Sequence, residues 1–194
     1  METASVRKIA GVLRVLICAA LVCNLILLYL VPAAVLSDSQ DLLGGVREYL
    51  SGVFFPGEDD IVMAGIAGSL LSWFWVWREA DTGMLTLFLT VSGICTAVIL
   101  RQALRVLNSI LQSHPFCQEN ARALLRAAVC GFLISAAALV RVIFSVCLYR
   151  SFRPLLTYNA LFIPIFAMFG LLCLVMSALF RQAAELKAEN DLTI

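Results

Sequence analysis

Four stretches of this chain, about residues 15–36, 82–100, 127–149 and 159–180, hold 22, 19, 23 and 22 residues and between them a single charged side chain, Arg141. A bilayer core of about 30 Å takes about 20 apolar residues to cross as a helix, and inside it no water can satisfy an open backbone. The four runs therefore dictate membrane-crossing helices. Composition agrees, with 62% hydrophobic and 14% charged residues against about a quarter charged in soluble domains. Of 194 residues, too few remain for a large soluble domain. The expected fold is an all-α integral membrane protein, one membrane domain over residues 1–194. It is a four-helix transmembrane bundle with one extra short helix in the outer segment 37–81, lying in the interface or re-entering the membrane.

The first run follows Arg7, Lys8 and Arg14, as a secretory signal would. At 22 residues it exceeds the about 7–15 of a signal's apolar region, so it reads as a retained helix whose last turn Pro32 bends or ends. The connection that follows carries Asp38, Asp41, Glu48, Glu58, Asp59 and Asp60 against Arg47 alone. Acids just before an apolar run cap a helix start and suit its dipole; the same three carboxylates at 58–60 would also suit a cation, given an organised loop. Residues 61–77 are apolar but only 17 long, and they end in Trp73, Trp75 and Trp77 before Arg78. That is interface chemistry. Gly65, Gly68, Ser69 and Ser72 fall on one helical stripe, small enough for another helix to approach closely.

Whether 61–77 crosses is decided by Lys and Arg placement. Omitting it leaves nine basic residues inside (Arg7, Lys8, Arg14, Arg101, Arg105, Arg122, Arg126, Arg181, Lys187) and four outside (Arg47, Arg78, Arg150, Arg153). Including it gives six inside and seven outside. Four spans with both termini cytoplasmic fit the rule. The helical pattern of the second span continues past the membrane, with Leu100, Ala103, Leu104, Leu107 and Leu111 on one side and Arg101, Gln102, Arg105, Asn108 and Gln112 on the other, until Ser113-His114-Pro115 breaks it.

Catalysis needs a nucleophile, a base and a polarising group in one cleft. The chain has one histidine, His114, in that turn, and no acid inside any of the four runs. No catalytic set, metal site or cofactor is expected. Seven cysteines form no CxxC pair, and six lie in apolar stretches, where they read as small hydrophobes. Cys117 lies outside them, either an ordinary turn residue or, with Arg122 near a helix start, a redox-sensitive thiol. Arg141 is the sharper feature, about 22 Å along its helix from Arg126 and so past the midplane. It can snorkel outward, pair with Glu79 or Asp81 at the outer end of the second span, or hold an anionic ligand head. Arg101, Arg105, Arg122, Glu185 and Asp191 form a candidate cytoplasmic contact surface, with Arg181 and Glu185 spaced to pair along one helix. The tail from Glu189 to Ile194 is expected to fold back on the basic helix ends, to dock on a partner, or to fray.

Two strings, HPFCQENARALL at residues 114–125 and FRQAAELKAENDLTI at 180–194, carry a resemblance. Pro115, Phe116, Glu119, Asn120 and Arg122 match the first motif, and Glu185, Leu186, Glu189, Asn190, Asp191, Leu192 and Thr193 the second. Over about residues 82–194 the chain resembles a family of small bacterial four-span membrane proteins, a domain-of-unknown-function family. It departs at Cys117, where such proteins often carry serine or threonine, better N-caps. The resemblance implies four spans with cytoplasmic ends in a bacterial plasma membrane and no established activity. It also implies a neighbouring small helix-turn-helix regulator of the Cro/C1 type as a partner.

The sequence therefore favours a regulatory or interaction protein, in contact with the lipid bilayer, such a regulator or further copies of itself, with no direct nucleic-acid binding. The alternative is a small transporter or channel subunit using the Arg141 region. Four spans predict that an impermeant thiol reagent applied to intact cells labels Asp59→Cys and leaves Ser109→Cys unlabelled, each compared with the parent chain. Labelling at Ser109→Cys overturns the topology.

Overall fold

The computed structural model describes residues 2–37, 69–111, 117–150 and 158–192. Helix α1 is Glu2–Ser37, α2 Ala80–Leu111, α3 Gln118–Tyr149 and α4 Tyr158–Leu192. Ahead of α2, residues 69–75 are helical and run into a 3-10 turn, Val76–Arg78. All four long helices contain an apolar window sufficient to cross a bilayer. The fold is the all-α four-helix membrane bundle with a short additional helix. Between 11% and 33% of each apolar window is buried inside the protein, so the remaining apolar surface faces lipid.

The start of α1 and the reading of Pro32 as a stop differ from the sequence expectation, while the continuations of α2 and α4 agree with it. α1 starts at Glu2 instead of near residue 15, because the segment before the apolar run contains no residue that stops a helix. Pro32 does not end it. A proline removes one backbone N–H bond, and here its ring is fully buried while the helix proceeds to Ser37. α2 and α4 continue beyond their apolar runs, to Leu111 and Leu192, as the helical periodicity requires. The acids of residues 38–60, Gly65, Gly68 and His114 lie outside the described residues.

Contacts divide the chain into two compact units, one made of Met1–Asn24 and Ile94–Ile194, the other of Leu25–Gly93. In the first unit α3 and α4 pack at van der Waals distance through two glycines. A Cβ on Gly131 would lie 3.2 Å from the Phe166 carbonyl oxygen and 3.4 Å from Gly170 Cα. One on Gly170 would lie 3.2 Å from the Ala128 carbonyl oxygen and 3.1 Å from the Phe132 ring. Close backbone approach of this kind replaces the hydrophobic driving force that lipid removes. Around it Ala127, Ala128 and Cys173 are buried, with Ile99, Phe132 and Phe169 packed against them. Two hydroxyls bracket the crossing. Ser135 Oγ donates to the Ile163 carbonyl at 2.9 Å and Ser177 Oγ to the Ala121 carbonyl at 2.7 Å.

The second unit buries the hydroxyl residues Ser69, Ser72, Thr82 and Thr86 beside apolar side chains such as Leu30, Val35, Val76 and Phe88. Tyr29 and Ser69 share a 2.7 Å hydroxyl hydrogen bond, and Ser72 Oγ donates to the Ser69 carbonyl at 2.6 Å. Both serines of the small-residue stripe that are described here are buried. Thr82 Oγ1 reaches the carbonyls of Val76 (2.9 Å) and Glu79 (3.0 Å) and closes the turn where Glu79 is extended. Trp75 and Trp77 are exposed, with the Arg78 guanidinium 5.4 Å from the Trp75 ring centre, an aromatic and cationic pairing suited to the headgroup zone.

Gly131→Val and Gly170→Val should each lower stability by about 1–3 kcal/mol by forcing α3 and α4 apart. Gly11→Ala, with nothing within 4 Å of the added Cβ, should leave stability unchanged or raise it by up to about 1 kcal/mol. Thermal unfolding in one detergent, with the three variants side by side, measures both.

Candidate functional site

At one end of the first unit three helix ends carry polar side chains beyond their apolar runs. α2 leaves its run at Leu100 and presents Arg101, Arg105 and Asn108 at positions i, i+4 and i+7, one helical face with Leu104 at its edge. α3 begins at Gln118 after Cys117, which is extended and makes no side-chain cap. Its thiol lies 3.5 Å from Ser109 Oγ. The Asn120 N–H donates to the Cys117 carbonyl at 3.1 Å, and Asn120 Nδ2 donates to Ser109 Oγ at 3.0 Å. Asn120 is 1% exposed, so this bond fastens the start of α3 to the end of α2. The Ser177 bond to Ala121 brings α4 to the same end.

Between α2 and α3 lies a cavity of about 420 Å³, open to solvent and lined by Arg101, Leu104, Arg105, Asn108, Ser109, Glu119 and Asn120. Arg101, Arg105 and Glu119 are exposed. Among the described residues none of the three takes part in an ion pair. Nearby, Gln102 is 8% exposed and its Oε1 has no hydrogen-bond partner among the described residues.

The structure distributes the residues singled out from the sequence unevenly. Arg101 and Arg105 share the cavity wall. Arg122 is exposed on α3 outside that lining. Glu185 accepts from Arg181 Nε at 3.0 Å, the i,i+4 pair that the spacing predicted, worth a few tenths of a kcal/mol in the open. α4 stays helical through Leu192, so the chain does not turn back between residues 189 and 192. The Asp191 side chain lies outside those described. Arg141 Nη1 donates to Asn159 Oδ1 at 3.2 Å. Asn159 is the second residue of α4, so the guanidinium points toward the end where α3 stops and α4 starts. Glu79 and Asp81 belong to the other unit.

Sequence reasoning passed over Asn159, Ser109, Ser135 and Ser177. Their shared signal is a lone polar residue heading or interrupting an apolar helix, where a partner helix is the available hydrogen-bonding surface.

A family model described as "Protein of unknown function (DUF2975)" matches residues 56–194. The chain belongs to this family. No curated protein and no solved structure matches it. The DUF2975 match starts earlier than the resemblance read from the sequence, taking in the tryptophan-rich segment as well as α2, α3 and α4. The cavity and the Arg141–Asn159 bond both lie inside the DUF2975 region, and α1 precedes it.

If the Arg141–Asn159 bond stabilises the α3–α4 hairpin, Arg141→Leu and Asn159→Leu should show a coupling of about 1 kcal/mol in a double-mutant cycle read by thermal unfolding. The same cycle run with Asp81→Asn and Glu79→Gln tests the carboxylate pairing. A non-zero coupling there identifies which acid Arg141 serves.

Proposed function

We propose that this protein is a non-catalytic interaction protein of the bacterial plasma membrane, with both termini cytoplasmic, and that the extension of α4 docks a soluble regulator. The observation that carries the reading is the length of α4. The helix continues to Leu192, 12 residues past the last apolar residue of its run, Phe180. That is about 18 Å at 1.5 Å per residue. On it Leu186 is 61% exposed, framed by the Arg181–Glu185 pair and by Lys187 and Glu189. Leu186 and the charges around it offer another protein one apolar contact within a polar helix face. The nine-to-four distribution of basic residues supports a cytoplasmic position for it.

The resemblance to a family found beside Cro/C1-type regulators supplies the partner class, a small helix-turn-helix protein. Any effect on transcription runs through that partner, since the chain has no basic run for nucleic acid. A catalytic role has little support in a chain with one histidine and no acid inside its apolar runs.

Co-expression with the adjacent regulator tests the reading. Leu186→Glu, and separately deletion of residues 189–194, should lower recovery of the regulator with the purified membrane protein while leaving membrane abundance intact. Unchanged recovery from both variants overturns it. The second reading, a transporter or channel subunit, draws on the Arg141–Asn159 bond, a charge held at the outer part of a span. Solute flux in vesicles that is lost in Arg141→Ala and kept in Arg141→Lys would favour it over docking.

A further inference from the structure

The cavity between α2 and α3 has a position in depth as well as a lining. Residues 82–100 are 19 apolar or small polar residues, about 28 Å of helix, close to the thickness of the hydrocarbon core. Arg101 is the first charged residue after that run, and Arg105 follows one turn later. Both guanidinium heads therefore stand in the zone of the lipid phosphates, side by side on one helical face. They line the same cavity and take no ion pair among the described residues. Asn108 adds an amide from the next turn, while the Ser109 hydroxyl in the same wall is engaged by Asn120 and Cys117. The first turn of α3 faces them without a side-chain cap at Cys117, which leaves backbone N–H groups and a positive helix end nearby. Glu119 is the one negative group in the lining.

Two adjacent guanidinium groups and neutral donors around a solvent-open space suit a group with several anionic oxygens, since arginine binds phosphate with parallel hydrogen bonds. The volume of about 420 Å³ is on the order of a dozen waters at about 30 Å³ each. That is room for a phosphate with a small attached alcohol.

We propose that this cavity is a binding site for a phosphate group, held by Arg101 and Arg105 and oriented by Asn108, with the headgroup of an anionic phospholipid as its source. The site is independent of whether α4 docks a regulator. A phospholipid reaches it from the membrane plane with its phosphate already at the right depth, so binding requires no displacement of the protein from the bilayer. Glu119 opposes the ligand's charge and keeps occupancy below what the arginines alone would give.

The test uses the full chain, stripped of lipid in a neutral detergent and titrated by calorimetry, with thermal unfolding in parallel. Three probes are compared: short-chain phosphatidylglycerol, the matching diacylglycerol without phosphate, and inorganic phosphate. Saturable binding of phosphatidylglycerol with none of diacylglycerol is expected. Arg101→Gln and Arg105→Gln should each weaken it about tenfold, the effect of losing one charge-assisted hydrogen bond. Glu119→Gln should tighten it, a gain that misfolding cannot mimic. Arg126→Gln, an exposed arginine outside the lining, should leave it unchanged. Inorganic phosphate binding as tightly as the lipid would keep the site and reassign its source to a soluble phosphate. Equal binding of diacylglycerol, no binding of any probe, or wild-type affinity in both arginine variants would overturn the proposal.

Discussion

The close crossing of α3 and α4 sets the geometry of the first unit. In lipid, helices gain little by hiding apolar surface from one another, so association falls to contact at short range and to hydrogen bonds between helices. Gly131 and Gly170 let the backbones approach until each faces a carbonyl or a ring edge of the other helix. At that separation a serine hydroxyl is long enough to reach across, and Ser135 and Ser177 both do. A larger residue at either glycine would move these oxygens out of range together. The polar end follows from the same contact. Ser177 fixes α4 against the first turns of α3, and Asn120, one residue from the carbonyl Ser177 engages, fixes α3 against α2.

Much of the architecture could be read from the chain because each span is a long run with one requirement, about 20 apolar residues. The amphipathic continuation of α2 was equally legible, since Leu104 and Leu107 against Arg101 and Arg105 keep a helical period after the apolar run ends. The start of α1 was not, because residues 2–14 have no pattern that separates a helix from a tail. Nor was the passage through Pro32, whose cost depends on burial that only packing reveals. Arg141 shows the limit for sites. Its place in a span left snorkelling, an acidic partner or an anionic ligand open, and Asn159 is a neutral residue that charge matching does not bring forward. The cavity was half legible, with its arginines on one face of α2, while Ser109 and Asn120 enter through a contact between helices.

Polar groups in this protein fall into two populations. Those inside the apolar windows mostly serve packing, as Ser135 does; of those just outside, Asn120 and Ser109 fasten α2 to α3 while Arg101 and Arg105 line the open cavity. Neither unit satisfies the first population fully, since Asn24 Oδ1 in the first unit has no partner among the described residues. In the second unit Tyr29, Ser69, Ser72 and Thr82 are joined in short hydrogen bonds, while Thr86 Oγ1 and Thr90 Oγ1 on the same face of α2 have no partner among the described residues. Buried hydroxyls in that condition lower stability locally, in contrast to the closed hydroxyl bonds between α3 and α4.

The cross-helix bonds of the first unit also differ in how far apart their partners lie along the chain. Ser109 and Asn120 are 11 residues apart, Ser135 and Ile163 28, and Ala121 and Ser177 56. A chain made from its N-terminus completes these contacts in that order. The α2–α3 fastening can form while α4 is still being synthesised, the second bond needs only the first turns of α4, and the third waits for its middle, since Ser177 is the 20th of 35 residues. Biogenesis thus proceeds through successive closures, the last of which encloses the second along the chain. That last one holds the helix that continues to Leu192, so its extension takes its place only after α2 and α3 are joined.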